Sequence, residues 1–388
     1  MHDQRICRFL ISAALMLTPG AFASTLYVGT CHTPSYSTIS AAVAAAPAGS
    51  TVDVCPGTYP EQVFITEQLT LQGITSSGGD RARIVVPSNP FGGATNWQFV
   101  TDPITSIQVA AQVYVNSPAT TPVKITNLTI DGTGEAGATA CNNTGWWYTT
   151  GIYSWSSVTI NEVNTIGQGQ TSCGIGIWAE QGNPAVPPSV NIEHSSVLNP
   201  SVLGIYLTGP SSGPPMSVSV TSNAVETDAP HPLSGSVALY VAGSTGKISS
   251  NTLLTAEVGI WDNLANSSSL TISSNTVVST VPAGSGTSGI LSNDGPYAGT
   301  DTYSDNKFVS FDDGVRFLNY FFPASITLTN NSFVNSQTAI YLGCNNVTLS
   351  GNTINNARLG FDQVPSGFST TGKASFYNVD QFVGTACP

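Results

Sequence analysis

Asp312 and Asp313 are adjacent carboxylates at an Asp-Asp-Gly turn, and Arg316 follows Asp313 by three residues. A carboxylate pair beside a guanidinium suits cleavage of a glycosidic bond. One carboxyl, its pKa raised by its neighbour, donates a proton to the leaving oxygen while the other activates water, and Arg316 orients the substrate. The same pair can instead hold a calcium ion. The structural alternative is an ordinary turn in which Arg316 is the counter-ion. Neighbouring residues of an extended strand face opposite sides, so the catalytic reading requires the chain to bend at Asp312.

Other chemical groups are sparse. His194 follows Glu193, and His231 lies between Pro230 and Pro232. His194 is followed by Ser195 and Ser196, but nothing in the sequence sets a Ser or Cys against either ring as an activated nucleophile, so a catalytic triad is not expected. No CxxC or His-rich spacing indicates a zinc site, and no cofactor is expected beyond the calcium alternative.

The elements that would position these groups are set by repetition. One phrase recurs as Val220-Thr221-Ser222-Asn223, Ile248-Ser249-Ser250-Asn251, Ile272-Ser273-Ser274-Asn275, Tyr303-Ser304-Asp305-Asn306, Leu328-Thr329-Asn330-Asn331 and Leu349-Ser350-Gly351-Asn352. Its asparagines are 28, 24, 31, 25 and 21 residues apart. A small residue followed by an apolar one trails it eight residues later at Gly259-Ile260, Gly314-Val315, Ala339-Ile340 and Gly360-Phe361. Gly289-Ile290 follows after fourteen, which implies a longer loop in that coil. A period of 20–30 residues built from short strands is the signature of a parallel β-helix. The asparagines are expected at left-handed turn positions, with side-chain amides bonded from coil to coil. Only Thr38 to Ala46 carries helical periodicity. The expected fold is all-β: a single-stranded right-handed parallel β-helix, a solenoid, with an N-terminal capping helix.

Strand alternation identifies an outward column. If the apolar residue after each small one points inward, the next points out. Down the stack that position reads Tyr153, Trp178, Tyr206, Tyr240, Trp261, Leu291, Arg316, Tyr341 and Asp362, of which six are Tyr or Trp. Rungs about 4.8 Å apart would align these rings into a platform on which sugars stack. Glu180, two residues past Trp178, joins the expected substrate-binding set, which is Tyr153, Trp178, Glu180, Tyr206, Tyr240, Trp261 and Tyr341. Trp146-Trp147-Tyr148 would wall one end, and the sequence leaves the role of loops 80–122 and 133–150 open. The alternative is a ring stack that only stabilises one sheet. Lys124, Lys247, Lys307 and Lys373 fall off this column, which argues against a lyase with a lysine base.

The N-terminus carries Arg5 and Arg8, then an apolar run from Phe9 to Leu17, then Ala21-Phe22-Ala23. That order is a signal peptide over residues 1–23, too short in its apolar part to span a membrane. A secreted protein, extracellular or periplasmic, is expected. The β-helix domain then covers 24–388, with 24–65 as cap and first coil and 363–388 as a tail. The whole chain of 388 residues has 10 basic and 22 acidic side chains. Losing Arg5, Arg8 and Asp3 leaves 8 basic against 21 acidic. Such a chain has no footprint for nucleic acid or an anionic membrane, and membrane insertion is not expected. Cys31, Cys55, Cys141, Cys173, Cys344 and Cys387 remain, an even number that suggests disulfides. Six cysteines allow fifteen pairings. Nearest-neighbour pairing is favoured because they form three local groups and a solenoid brings sequence neighbours together. That gives Cys31–Cys55, Cys141–Cys173 and Cys344–Cys387.

The chain resembles the pectin-lyase-like β-helix superfamily. The resemblance is most specific at Thr38-Ile39, Ala41-Ala42-Val43, Ala46-Pro47-Ala48-Gly49-Ser50, Val52-Asp53-Val54, Pro56-Gly57-Thr58-Tyr59 and Glu61-Gln62-Val63, which look like the capping helix and first coil of such proteins. Weaker rung similarity covers residues 125–361. The superfamily's catalytic motifs are largely missing, and Asp312-Asp313 only partly matches the paired aspartates of polygalacturonases. The resemblance thus implies the fold and a glycan-related role. The expected function is polysaccharide binding along the aromatic face by a non-catalytic surface or adhesion-type monomer. The alternative is a polysaccharide-degrading hydrolase or lyase.

Overall fold

The computed structural model describes residues 22–75, 81–87, 98–102, 105–118, 120–133, 147–169, 173–182, 186–210, 213–227, 236–263, 269–293, 299–318 and 325–387. The expected signal segment up to Ala21, Cys141, Trp146 and His231 lie outside them.

The chain is a right-handed parallel β-helix. One sheet stacks twelve strands, from Thr25–Val28 and Thr51–Val54 at one end to Ser325–Thr329 and Thr348–Ser350 at the other. The second sheet takes two strands from each full coil, such as Ala224–Thr227 and Val237–Ala242. A strand-to-strand parallel crossover takes the right-handed sense, because a right-twisted strand packs back on its sheet only that way. Each inward column is continuous. Ile125, Ile160, Ile192, Val220, Ile248, Ile272, Tyr303, Leu328 and Leu349 lie in register through nine coils and are all buried. Burying an aliphatic side chain of this size contributes about 1.5–3 kcal/mol, and the solenoid repeats that contribution coil by coil.

The asparagine phrase forms a buried ladder. Asn223, Asn251, Asn275 and Asn306 each donate from Nδ2 to the Oδ1 of the next, and Asn306 donates to Asn331 and Asn331 to Asn352, at 2.9–3.2 Å. The same Oδ1 atoms accept the backbone N–H of the preceding asparagine. The ladder corrects one expectation. The left-handed residue is the one before each asparagine: Ser222, Ser250, Ser274, Asp305, Asn330 and Gly351 have φ of 56–64°. The asparagine itself must point inward to reach its neighbours, so the sharp turn is made one residue earlier. Asparagine does occupy the left-handed region on the surface. Asn335, Asn356 and Asn378 have φ of 51–57° and bond through their amides in a second, exposed ladder.

The small residue of the trailing phrase is required by close approach. A Cβ at Gly259 would collide with Val277 Cγ1 and crowd the carbonyl of Gly289. The outer face of the twelve-stranded sheet is mostly hydroxyl-bearing, with a few charges such as Lys124, Glu193 and Lys247. Ser217, Ser219 and Thr221 on one strand are followed two coils later by Ser269, Thr271 and Ser273. Hydroxyls there hydrate the surface without charge, which is why so few Lys, Arg, Asp and Glu suffice.

Helix Ile39–Ala45 packs against strands Thr25–Val28, Thr51–Val54 and Val63–Ile65 and buries Ile39, Ala42 and Val43. Its free N-terminal N–H groups are satisfied by Thr38, which accepts from Ala41, and by the Glu61 carboxylate, which accepts from Ile39 and Ser40 at 2.8 Å. Cys31–Cys55 and Cys344–Cys387 are bonded as expected from spacing. Cys173 is also disulfide-bonded. Cys141, its expected partner, lies outside the described residues.

Candidate functional site

The outward column runs as the alternation rule requires. Tyr153 pairs in register with Trp178, Trp178 with Tyr206, Tyr206 with Tyr240, Tyr240 with Trp261, and the column continues through Leu291, Arg316, Tyr341 and Asp362. Neighbouring ring centroids from Tyr153 to Trp261 are 4.7–5.5 Å apart, tilted or edge-to-face. Such spacing is favourable for aromatic pairs beyond their buried area.

The column extends two coils further than the sequence indicated. Tyr114 pairs with Tyr153, and Phe64 pairs with Tyr114. The small–apolar phrase does not reach them, because the small position before Val113-Tyr114 is taken by Gln112. Gln112 is buried, accepting from Gln168 at 2.8 Å and donating to the Asp131 carbonyl at 2.9 Å. An apolar–aromatic search without the small residue would have found them.

Access divides the stripe. Tyr114, Tyr153 and Trp178 are buried in a second apolar cluster outside the solenoid, with Val109, Ala111 and Ile175, and Val100 and Trp155 pack against it. The cover comes from Val100–Thr101, which pairs antiparallel with the start of Gln108–Val115, and from the turn between them. Tyr153, Trp178 and Glu180, expected to face solvent, are therefore 0%, 3% and 2% exposed. Alternation places a side chain outside the coil but says nothing of a hairpin folding over it.

Glu180 has become part of a sealed polar site. Its Oε1 accepts from the Tyr153 hydroxyl. Burial pushes its carboxyl up to about 7, the nearby charge of Asp102 adds to that, and the Tyr153 hydroxyl partly offsets it. Asp102 is itself buried and holds the hairpin turn, accepting from the Thr105 hydroxyl at 2.6 Å and from its N–H at 3.1 Å.

Beyond the cover, the stripe opens into a groove of about 220 Å³. Trp178, Tyr206, Tyr240 and Trp261 form one wall, Ile175, Leu203 and Val237 the other, and Thr105, Ile107 and Tyr148 close the covered end. Leu203 and Tyr206 flank Gly204 on one strand, where the chain bends so that both face outward. The bend repeats down the stack. The column of Leu203 continues through Val237, Val258, Ser288, Asp313 and Thr338 beside the aromatic column. Past the residues that line the groove, the same outward columns pass from aromatic to polar, and that polar stretch holds Asp313, Arg316 and Tyr341.

The bend required at Asp312 exists, but it separates the roles of the two aspartates. Asp312 turns its carboxylate into the loop before it and accepts from the backbone N–H groups of Gly284, Gly286 and Thr287, the last at 2.8 Å. That is a turn staple, with its oxygens directed at protein. Asp313 lies on the groove column, bonded to Arg316 at 3.3 Å. Its carboxyl is pushed up to about 6 by burial, with Arg316 working against the shift and Asp312 adding to it. The Arg316 guanidinium rests 5.2 Å from the Tyr341 ring centre. A paired acid and base at Asp312–Asp313 is not what this geometry provides, because the backbone amides of 284–287 hold one member. His194 is an exposed turn residue at φ 49°. Among the described residues no three His, Cys, Asp or Glu side chains converge as a metal site. No helix among them is long and apolar enough to cross a membrane.

No family model and no curated protein matches the chain. Several solved structures resemble it. The surface adhesin PfbA of Streptococcus pneumoniae shares 14% identity, with 89% of this chain and 87% of that chain aligned at a TM-score of 0.48. DFA-IIIase from Arthrobacter chlorophenolicus A6 without its lid shares 12% identity over 87% of this chain and 91% of that one, TM-score 0.45. The Dettilon tailspike protein shares 13% identity over 92% and 68%, TM-score 0.46. The parallel β-helix rests on this chain's own strand register, independently of these likenesses.

Proposed function

We propose that this protein is a secreted, monomeric β-helix that binds a polysaccharide along the groove of Trp178, Tyr206, Tyr240 and Trp261, in a non-catalytic surface or adhesion-type role. One observation carries this reading: three half-buried rings in consecutive coils, Tyr206, Tyr240 and Trp261, line an open groove together with the aliphatic Leu203 and Val237, and the buried Trp178 closes its covered end. Aromatic surface at that spacing suits the carbon-rich faces of successive sugar rings, and tyrosine hydroxyls suit sugar hydroxyls. Among the described residues, none in the aromatic stretch supplies two opposed, accessible carboxylates, which favours binding over cleavage there.

The test is a glycan panel against the purified chain, with Trp261→Ala and Tyr206→Ala as variants. Binding of a polysaccharide that weakens tenfold or more in both variants, with no new reducing ends or unsaturated products, is the expected result. A degradative reading has one observation in its favour, Asp313 held near 6 beside Arg316 on the same outward face, past the groove. Product formation abolished by Asp313→Asn would establish the hydrolase or lyase reading instead.

A further inference from the structure

A second cavity lies beside the first, at the turns that join the aromatic strands to the twelve-stranded sheet. It has a volume of about 610 Å³, within the usual range for a small-molecule site. Trp155 forms its aromatic surface; Pro187 and Pro188 add apolar surface, and Asn116, Ser157 and Thr120 bring polar groups. No charged side chain lines it among the described residues.

Its walls are held in place from within. Trp155 packs edge-on against Tyr114 and Tyr153, at 5.3 and 5.7 Å between ring centres, so the indole cannot swing away. Gly182 sits against the inner side of Trp155, where a Cβ would come 2.6 Å from the Trp155 Cβ. Three turns are tied together around it. Ser156 donates from its hydroxyl to the Ser117 carbonyl at 2.9 Å, and Ser157 Oγ accepts from the Ser189 N–H at 3.0 Å. The Pro188 carbonyl accepts from the Ser217 N–H at 3.1 Å. A pocket already fixed by its own hydrogen bonds does not have to be ordered by its ligand, which favours binding of a small polar molecule.

The lining selects the ligand. With no cation or carboxylate, the pocket neither attracts nor neutralises a charged group, so phosphates, uronates and amines are disfavoured. An indole face, proline rings and short hydroxyls together suit a molecule with one apolar face and many hydroxyls. The geometry points to a second glycan subsite at Trp155 that takes a neutral saccharide of two or three units. It rests on the glycan-binding reading above, and it is distinct from the groove because the buried Tyr153 lies between Trp155 and Trp178.

The probes are neutral di- and trisaccharides of glucose, mannose and xylose, titrated calorimetrically into the full chain. Val186→Trp, at a half-exposed rim position, fills the pocket, and Thr120→Arg places a charge at its edge; Trp261→Ala disables the groove. Two binding events per chain are expected for a probe that fits both sites. Each pocket variant should remove one event or weaken it tenfold, while Trp261→Ala removes the other. Wild-type affinity and stoichiometry in both pocket variants would overturn the subsite and leave the groove standing. If Trp261→Ala changes nothing while the pocket variants abolish binding, the groove reading fails and the subsite survives. Absence of any binding to the wild type overturns both.

Discussion

The Tyr153 hydroxyl donates to Glu180 Oε1 across two adjacent coils, and both side chains are buried beneath the Val100–Gln108 hairpin. The pair shows how one outward column can serve two ends: its covered half holds the solenoid's outer cluster together, and its open half forms the groove.

That pair makes stability depend on pH in an unusual direction. The Glu180 carboxyl is raised from 4.5 to about 7. Its contribution is fully present below 4.5, where the unfolded chain is also protonated, and is lost as pH rises through about 7. Asp313, raised from 3.8 to about 6, acts the same way over a lower window. The thermal midpoint should therefore fall between pH 5 and pH 8, with Glu180 worth on the order of 3 kcal/mol over that interval. Calorimetric scans of the wild type and Glu180→Gln would check this. The variant should show a flatter profile, and a midpoint that rises with pH in the wild type contradicts the assignment.

The two asparagine ladders should differ in worth. Asn275 accepts from the Asn251 N–H and amide and donates to the Ile248 carbonyl and Asn306, all in the buried turn. Asn275→Ala strands an N–H and a carbonyl and should destabilise by about 3 kcal/mol, since buried polar groups without partners lose about 1–3 kcal/mol each. Asn356→Ala breaks only exposed amide contacts and should lie within about 1 kcal/mol of wild type. Denaturant unfolding of both variants tests the contrast. Equal losses would mean the buried ladder has no special role.

Trp178 and Trp261 should separate stability from binding. Trp178 is buried among Tyr148, Tyr153 and Tyr206, whereas Trp261 is half-exposed at the open end. Trp178→Ala should lose about 3–5 kcal/mol through the cavity it leaves. Trp261→Ala should barely move the thermal midpoint while weakening glycan binding. The reverse pattern in parallel melting and binding assays would show that the cover over Trp178 is absent in solution.

Reduction should loosen both ends of the solenoid. By the chain-entropy account, Cys31–Cys55, spanning 24 residues, contributes about 3.5 kcal/mol, and Cys344–Cys387, spanning 43, about 4 kcal/mol. Peptide mapping of the unreduced chain should return these two bridges together with Cys141–Cys173. A crossed pairing of Cys141 with any other cysteine would remove the nearest-neighbour rule.

The repeat and the outward column were legible in the sequence because each depends on local periodicity. Inward and outward positions alternate every residue along a strand, and parallel stacking in register carries that choice from coil to coil. Hence Tyr206, Tyr240, Trp261 and Arg316 could be placed on one face from the small–apolar phrase alone. The pairing of Cys31 with Cys55 and of Cys344 with Cys387 followed from the same one-dimensional order.

What only the tertiary structure decided is access and partnership. Whether Trp178 is a platform or a core residue depends on Val100 and Trp155, distant in sequence and bound by no repeat. Asp312 was indistinguishable from a catalytic partner of Asp313 until the amides of Gly284, Gly286 and Thr287 were found around its carboxylate. The left-handed residue likewise moved from the asparagine to its predecessor, because the amide had to reach inward to the next coil. Periodicity encodes the direction of a side chain relative to its own strand; the neighbours that then cover, bond or leave open that side chain come from loops whose paths no repeat determines.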